Sequence, residues 1–258
     1  MLKSLSPIRT IAITTYKELI RDRLLYGILV AALLVTSATF FLGSISLDQD
    51  HRVIQNIGLA SIHIFTTFIL IFVASNAIFR DIERRALYLL LPKPISRTQY
   101  VLGKYVGLLL LLLTTLVVLG GFFIAGGFFI DRSLILGTLM VLPYSFLEIS
   151  LLTALSILFA SFAAPLNASL YTLAFFIIGH SLGSVRAYLD RFGTPLAQNL
   201  TAVCYYLLPN LDKFDIRQAV LYGMHISPAQ VAWSLLYWLV YTGLILGLAV
   251  LVIQKREV

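Results

Sequence analysis

Six stretches of this chain are predominantly apolar for 18 residues or more, and this limits the fold before anything else does. A helix rises about 1.5 Å per residue, so about 20 such residues cross the roughly 30 Å hydrocarbon core of a bilayer. There every backbone N–H and C=O must be paired within the protein, which leaves only helices and closed barrels. Barrel strands are shorter and alternate polar with apolar residues. These runs do not alternate. The expectation is an all-α polytopic membrane protein, one transmembrane domain over residues 1–258. Its spans fall at about 24–45, 57–79, 105–130, 134–162, 168–185 and 231–253. Pro143 lies in the fourth, which is long and is expected to tilt, kink or begin at the outer interface.

Composition agrees. Of the 258 residues, 59% are hydrophobic and 12% charged, with a mean hydropathy of +0.93. A soluble domain carries about twice that charge. The net charge of +7 does not point to nucleic acid, because the basic residues cluster beside the spans, where they set topology. Cys204 has no partner for an intrachain disulfide. No cleavable signal peptide is expected, since the first apolar run is long enough to remain in the membrane.

Charge sets the expected orientation. Thirteen Lys/Arg lie in the N-terminal segment, the loop between spans two and three, and the tail. Six lie in the alternate connections. The richer side is expected to be cytoplasmic, with both termini inside. Ahead of the first span, Ser6-Pro7 reads as a helix start. Ile8, Ile11, Thr15 and Leu19 then share one face. Two readings stand, an interfacial helix on the inner leaflet or a frayed polar leader.

The segment from about Arg186 to Gln230 is too long for a tight connection. Residues 196–208 are apolar yet too short to span, which suggests a re-entrant or interfacial piece. Pro209, Asn210, Asp212, Lys213 and Asp215 read as a solvated turn after it.

Arg80 to Lys104 is the most unusual connection. It uses 25 residues, six of them Lys/Arg, with Pro92 and Pro94 dividing two short amphipathic segments. Asp81 and Glu83 suit the first turn of one helix, and Leu87, Leu90 and Leu91 give it an apolar face. Ser96 sits where a second helix would be capped, leading through Tyr100 into the third span. Such a loop fits either a groove on a soluble protein or the inner leaflet, with arginines on phosphates. No Walker A pattern occurs, so ATP-driven work would have to come from a partner.

This loop resembles the inner loop of ABC-2 type permeases, the membrane subunits of ATP-binding cassette exporters. It is particularly similar to the NosY-like branch linked to multicopper-enzyme maturation. The matching residues are Glu83, Arg84, Arg85, Leu87, Leu90, Pro94, Ile95, Ser96, Arg97, Tyr100, Gly103 and Lys104. The six-span layout, the leader and Tyr205 to Asn210 are similar too. The resemblance implies a coupling helix between spans two and three, an elbow helix at the N-terminus and short outer helices before the last span. It implies a homodimer over two ABC ATPase subunits, which bind the ATP and Mg2+, in the inner membrane. This chain is then expected to hold no cofactor or metal and to catalyse nothing. Glu83, Arg84, Arg85, Leu87, Leu90, Leu91, Pro94 and Arg97 become the expected coupling residues.

Glu148 stands inside the fourth span, where a carboxylate costs a few kcal/mol and is a functional candidate by default. It is taken here as a candidate for the translocation path or gate. Protonation, a bond to a neighbouring hydroxyl, or an aqueous cavity opened by Pro143 would also account for it. His63 and His180 each read as hydrogen-bonded core histidines. A metal site would need two or more of His63, Glu148, His180 and Cys204 to converge, and no ligand spacing announces that.

Gly179-His180-Ser181-Leu182-Gly183 matches the nucleophile-elbow pattern but lacks the strand that an elbow requires. A membrane-embedded enzyme using Ser181 or the Glu148/His63/His180 set, and a non-transporting assembly factor, are the rival readings. Gly103/Gly107 and Gly243/Gly247 permit close helix approach. Gly120-Gly121 and Gly126-Gly127 would make the third span permissive or bent.

Overall fold

The computed structural model describes residues 2–45, 50–77, 96–128, 130 and 132–255. Among these the regular elements are helical throughout. In chain order they are α1 (Leu2–Leu19), α2 (Arg23–Ile45) and α3 (Asp50–Ile69), which runs on through a π-helical turn (Leu70–Ala74). Then follow α4 (Arg97–Gly127), α5 (Arg132–Ala160) and α6 (Pro165–Phe192). The last are α7 (Pro195–Leu207), a 3-10 turn (Leu211–Phe214), α8 (Arg217–Leu221) and α9 (Pro228–Lys255). Helices α2, α3, α4, α5, α6 and α9 are long and apolar enough to cross a membrane.

Two spans start on the same device. Ser96 and Gln99 exchange hydrogen bonds at the head of α4, at 3.0 and 3.2 Å. Ser227 and Gln230 do so at the head of α9, at 2.9 and 3.3 Å, with Pro228 at the first helical position. Each pair satisfies two backbone donors that helix geometry leaves orphaned. Arg97 then donates to the carbonyls of Ile253 and Gln254 at the end of α9. The beginning of one span thus closes the end of another.

Helix α5 occupies the centre, touching α3, α4, α6, α8, α9 and the 3-10 turn. Ile149, Leu151, Leu152 and Ala154 are fully buried, so this stretch is enclosed on all sides. Lipid tails are as apolar as leucine, so hydrophobicity does not hold such helices together. Close packing and polar pairs do. Cross-helix pairs that serve here include Thr36–Ser61 and Ser75–Ser156 at 3.3 Å, Tyr16–Thr114 at 3.2 Å, and the Trp238 indole N–H donating to the Ser150 hydroxyl. The π turn in α3 adds another, since its Ile71 carbonyl accepts from Ser169 of α6 at 3.1 Å.

Glycines mark the closest approaches. A Cβ on Gly103 would stand 2.7 Å from the Ile11 Cβ. One on Gly107 would stand 2.7 Å from the Thr15 Cβ and 2.8 Å from the Ala12 carbonyl. The amphipathic leader therefore forms a helix whose Ala12, Thr15 and Leu19 face is buried, and it seats on α4. The glycine doublets of α4 also serve as seats. Gly120 faces Leu142, Gly126 faces Phe40 and Gly127 faces Leu134, while α4 runs as one helix from Arg97 to Gly127.

Two expectations need correction. The leader helix starts at Leu2, so Pro7 lies inside it and does not open it. The supposed solvated turn is partly buried: Asn210, Leu211 and Phe214 are 3%, 1% and 2% exposed, while Lys213 stays exposed and Asp212 and Asp215 are half-buried. Its polar groups are met internally. The Asn210 backbone N–H donates to the Tyr237 hydroxyl at 2.7 Å, and the Asn210 side chain accepts from the Asp212 N–H at 3.0 Å.

Alanine at Gly107 is expected to destabilise the purified protein by about 1–3 kcal/mol, because the added methyl meets backbone and side chain at once. Alanine at Gly121, where nothing lies within 4 Å, should be neutral or slightly stabilising. Thermal unfolding of both variants in the same lipid or detergent checks the contrast.

Candidate functional site

Three spans each bring one ionisable side chain to the same point, about midway along their lengths. His63 comes from α3, Glu148 from α5 and His180 from α6. His63 Nε2 stands 3.1 Å from Glu148 Oε1, and His180 Nε2 stands 3.2 Å from the same oxygen. One potential ligand atom from each residue falls within 4.8 Å of the others. His63 and Glu148 are buried, while His180 keeps 22% of its side chain exposed.

The surroundings orient these groups. His180 Nδ1 lies 3.1 Å from the Phe176 carbonyl oxygen. A carbonyl can only accept, so Nδ1 donates to it and Nε2 is the ring nitrogen turned towards Glu148. Phe176 walls the site, 4.6 Å from the His180 ring and 6.0 Å from that of His63. The 3.1 Å contact between His63 and Glu148 is short but poorly directed, and neither facing atom makes a well-shaped hydrogen bond among the described residues.

A cap closes over this cluster. Gly179 and Gly183 flank His180 on α6. A Cβ on Gly179 would lie 2.6 Å from the Leu211 Cγ, and one on Gly183 would lie 2.6 Å from Asp212 Oδ2. The 3-10 turn thus rests in a groove that these glycines leave open. The elbow-like pattern is a seat for the cap. Ser181 sits on uninterrupted helix and donates its hydroxyl to the Ile177 carbonyl at 2.8 Å, which leaves the hydrolase reading without its strand or its poised nucleophile.

The cap is itself charged. Asp215 and Arg217 form a two-pronged pair, with Nε at 2.8 Å and Nη2 at 2.6 Å from the two carboxylate oxygens. Burial pushes the Asp215 carboxyl up, but the Arg217 hydrogen bonds and charge outweigh that and hold it below the usual range. Arg217 is raised in return, chiefly by its bond to Asp215. Asp212 is pushed up by burial, against the pull of His180. These cap charges escape a sequence reading, although two small residues bracketing His180 are a visible sign that something packs there.

A second concavity of about 710 Å3 lies between α9 and the cap, lined by Tyr144, Lys213, His225, Trp233 and Tyr237 among others. Tyr144 precedes Glu148 by one turn of α5. Of the expected coupling residues, Glu83, Arg84, Arg85, Leu87, Leu90, Leu91 and Pro94 lie outside the described residues, and Arg97 is engaged with the end of α9. The Cys204 side chain is also outside them. Two histidines expected as separate core residues instead share one carboxylate.

Six spans around a buried ionisable cluster define a multi-pass helical membrane protein with an ionisable site inside its membrane-crossing region. The chain belongs to the ABC-2 family of transporter proteins, whose family model matches residues 9–258. It is therefore the permease type of ABC transporter subunit. No curated protein matches it.

Replacing Arg217 with methionine should cost about 1–3 kcal/mol at neutral pH, where a buried charged acceptor loses its donors. In the parent, the Asp215 contribution is fully present above the unfolded carboxylate value of about 3.9 and is lost as pH falls through the lower folded value. The gap in Tm between parent and variant should accordingly be widest near neutrality and close on acidification. A gap that does not change with pH would mean that Arg217 acts by packing alone.

Proposed function

We propose that this permease works as a homodimer over two separate ABC ATPase subunits, and that two copies frame the translocation path between them. The observation that carries this reading is the family match over nearly the whole chain. Residues 1–258 act as a single membrane domain of the inner membrane, with both termini cytoplasmic, as the Lys/Arg distribution favours. The partner supplies ATP and Mg2+ chemistry. The NosY-like pattern between spans two and three supports placing the chain in that branch of exporters.

Coupling runs through residues 81–104. Leu87, Leu90 and Leu91 fill a groove on the ATPase, Glu83, Arg84 and Arg85 meet its rim, and Pro94 ends the docking helix. Arg97 transmits the motion, since its bonds join the head of α4 to the tail of α9. Nucleotide binding closes the ATPase pair, pushes this loop and reorients the spans. Glu148 serves the translocation path as a gating group, which the clustering of ionisable groups halfway along three spans supports.

Charge reversal at both Arg84 and Arg85 should abolish co-purification of the ATPase from cells expressing both subunits. The amount of permease in the membrane should stay the same. Equal recovery of the ATPase with the reversed variant would sink the docking model.

A further inference from the structure

We propose that His63, Glu148 and His180 form a binding site for one divalent first-row transition cation, of which Zn2+ is the reference ion. The inference goes beyond the transport reading and does not require it.

The first support is the distances. Imidazole nitrogen and carboxylate oxygen bind Zn2+ at about 2.0–2.1 Å, so adjacent ligand atoms around a tetrahedral ion lie about 3.3 Å apart. The two histidine-to-glutamate separations are 3.1 and 3.2 Å. The edge between the two histidines is bounded at 4.8 Å, so binding draws the imidazoles towards the tetrahedral spacing about Glu148.

The second is orientation. The Phe176 carbonyl engages His180 Nδ1 and leaves Nε2 as the nitrogen that faces the carboxylate. Metal-binding histidines are held in this way, with the far ring nitrogen donating to a backbone carbonyl or carboxylate. A nitrogen 3.2 Å from a carboxylate oxygen needs either a proton or a metal cation between them. His63 Nε2 adds a second nitrogen at the same oxygen, and its contact is not directed as a hydrogen bond. One cation of charge +2 answers both contacts at once. The alternative is to place a proton in each.

The third is chemical class. Two imidazoles and a carboxylate suit Zn2+, Ni2+, Cu2+ or Fe2+, whereas the all-oxygen preference of Ca2+ and Mg2+ and the thiolate preference of Cu(I) do not match. With one carboxylate, the ion leaves a net positive charge in a medium of low dielectric. Asp212 offsets it from the cap, where it interacts electrostatically with both His180 and Glu148. Three protein ligands leave a fourth position, and the partial exposure of His180 places the opening on that side.

The test uses the full chain in lipid nanodiscs without any ATPase, stripped with a chelator. Co2+ is added first, because tetrahedral Co2+ absorbs visibly, and Zn2+ is then used to displace it. The expected result is one ion per chain with a tetrahedral spectrum that Zn2+ abolishes, and a Tm raised by Zn2+. His63→Ala and His180→Ala should lose the spectrum and bind less than about a tenth as tightly, as loss of a first ligand demands. Glu148→Gln keeps the side-chain shape and should weaken binding at least tenfold, which guards against misfolding of the histidine variants. His51→Ala and His225→Ala should leave the titration unchanged. No ion at stoichiometric load in folded parent protein overturns the proposal and makes this a proton-held cluster. Unchanged binding in the His63 and His180 variants overturns it too, by placing the ion elsewhere. Because no ATPase is present, failure here leaves the coupling model intact, and loss of coupling leaves this site intact.

Discussion

One buried carboxylate oxygen, faced by two imidazole nitrogens, governs the middle of this protein. A lone glutamate there would cost several kcal/mol in a span, so Glu148 has to be compensated by neighbours that arrive at the right depth on other helices. His63 and His180 do arrive, and their contacts at 3.1 and 3.2 Å require α3, α5 and α6 to keep both register and rotation. A slip of one residue on any of the three would turn its side chain by about 100° and leave the carboxylate uncompensated. The polar cluster therefore specifies the arrangement of the three spans in a way that leucine packing alone does not. The Ser169 bond to the π turn of α3 acts in the same sense further along.

The cap depends on the same register. Leu211 and Asp212 fit against α6 only because Gly179 and Gly183 bracket His180 on the helix that supplies it. Side chains at those positions would collide with the 3-10 turn. The cap's own polar groups are then met by Tyr237 and by the Asp215–Arg217 pair, so a loop that would normally be wet is carried into the bundle.

Much of this was legible in the residues, and the pattern of success follows from range. The spans are local, and a sequence shows them directly: each of the six observed helices overlaps an expected run, with ends displaced by a few residues or turns. The Ser96 cap was visible for the same reason. The third span's early start, at Arg97, follows from that cap more than from hydropathy. Seats for glycines were visible, but not what sits in them. The convergence of His63, Glu148 and His180 was not legible, because 85 and 32 positions separate them along the chain and no ligand spacing links helices packed side by side. The run from Pro209 to Asp215 misled for a related reason. Its composition reports polarity, whereas the burial of Asn210, Leu211 and Phe214 depends on Tyr237, Gly179 and Gly183, all distant in sequence.

The two ends of the protein have different mechanical characters, and this bears on how a push could travel. At the terminal end, α1 lies in the Gly103/Gly107 seat and Arg97 ties α4 to α9, so force applied at the head of α4 is shared with the last span. Helix α9 packs on α5, and α5 carries Glu148. The midpoint cluster tolerates little change, since ligands or hydrogen-bond partners separated by a further ~1 Å no longer interact. Under the ATP-driven reading, any motion that parts α3 from α6 breaks the cluster, and anything that occupies it resists that motion. Linkage is reciprocal, so the occupant of the site and the conformation of the permease set each other's free energy. The cap makes the same demand from the other side, because Leu211 and Asp212 ride on the helix that presents His180.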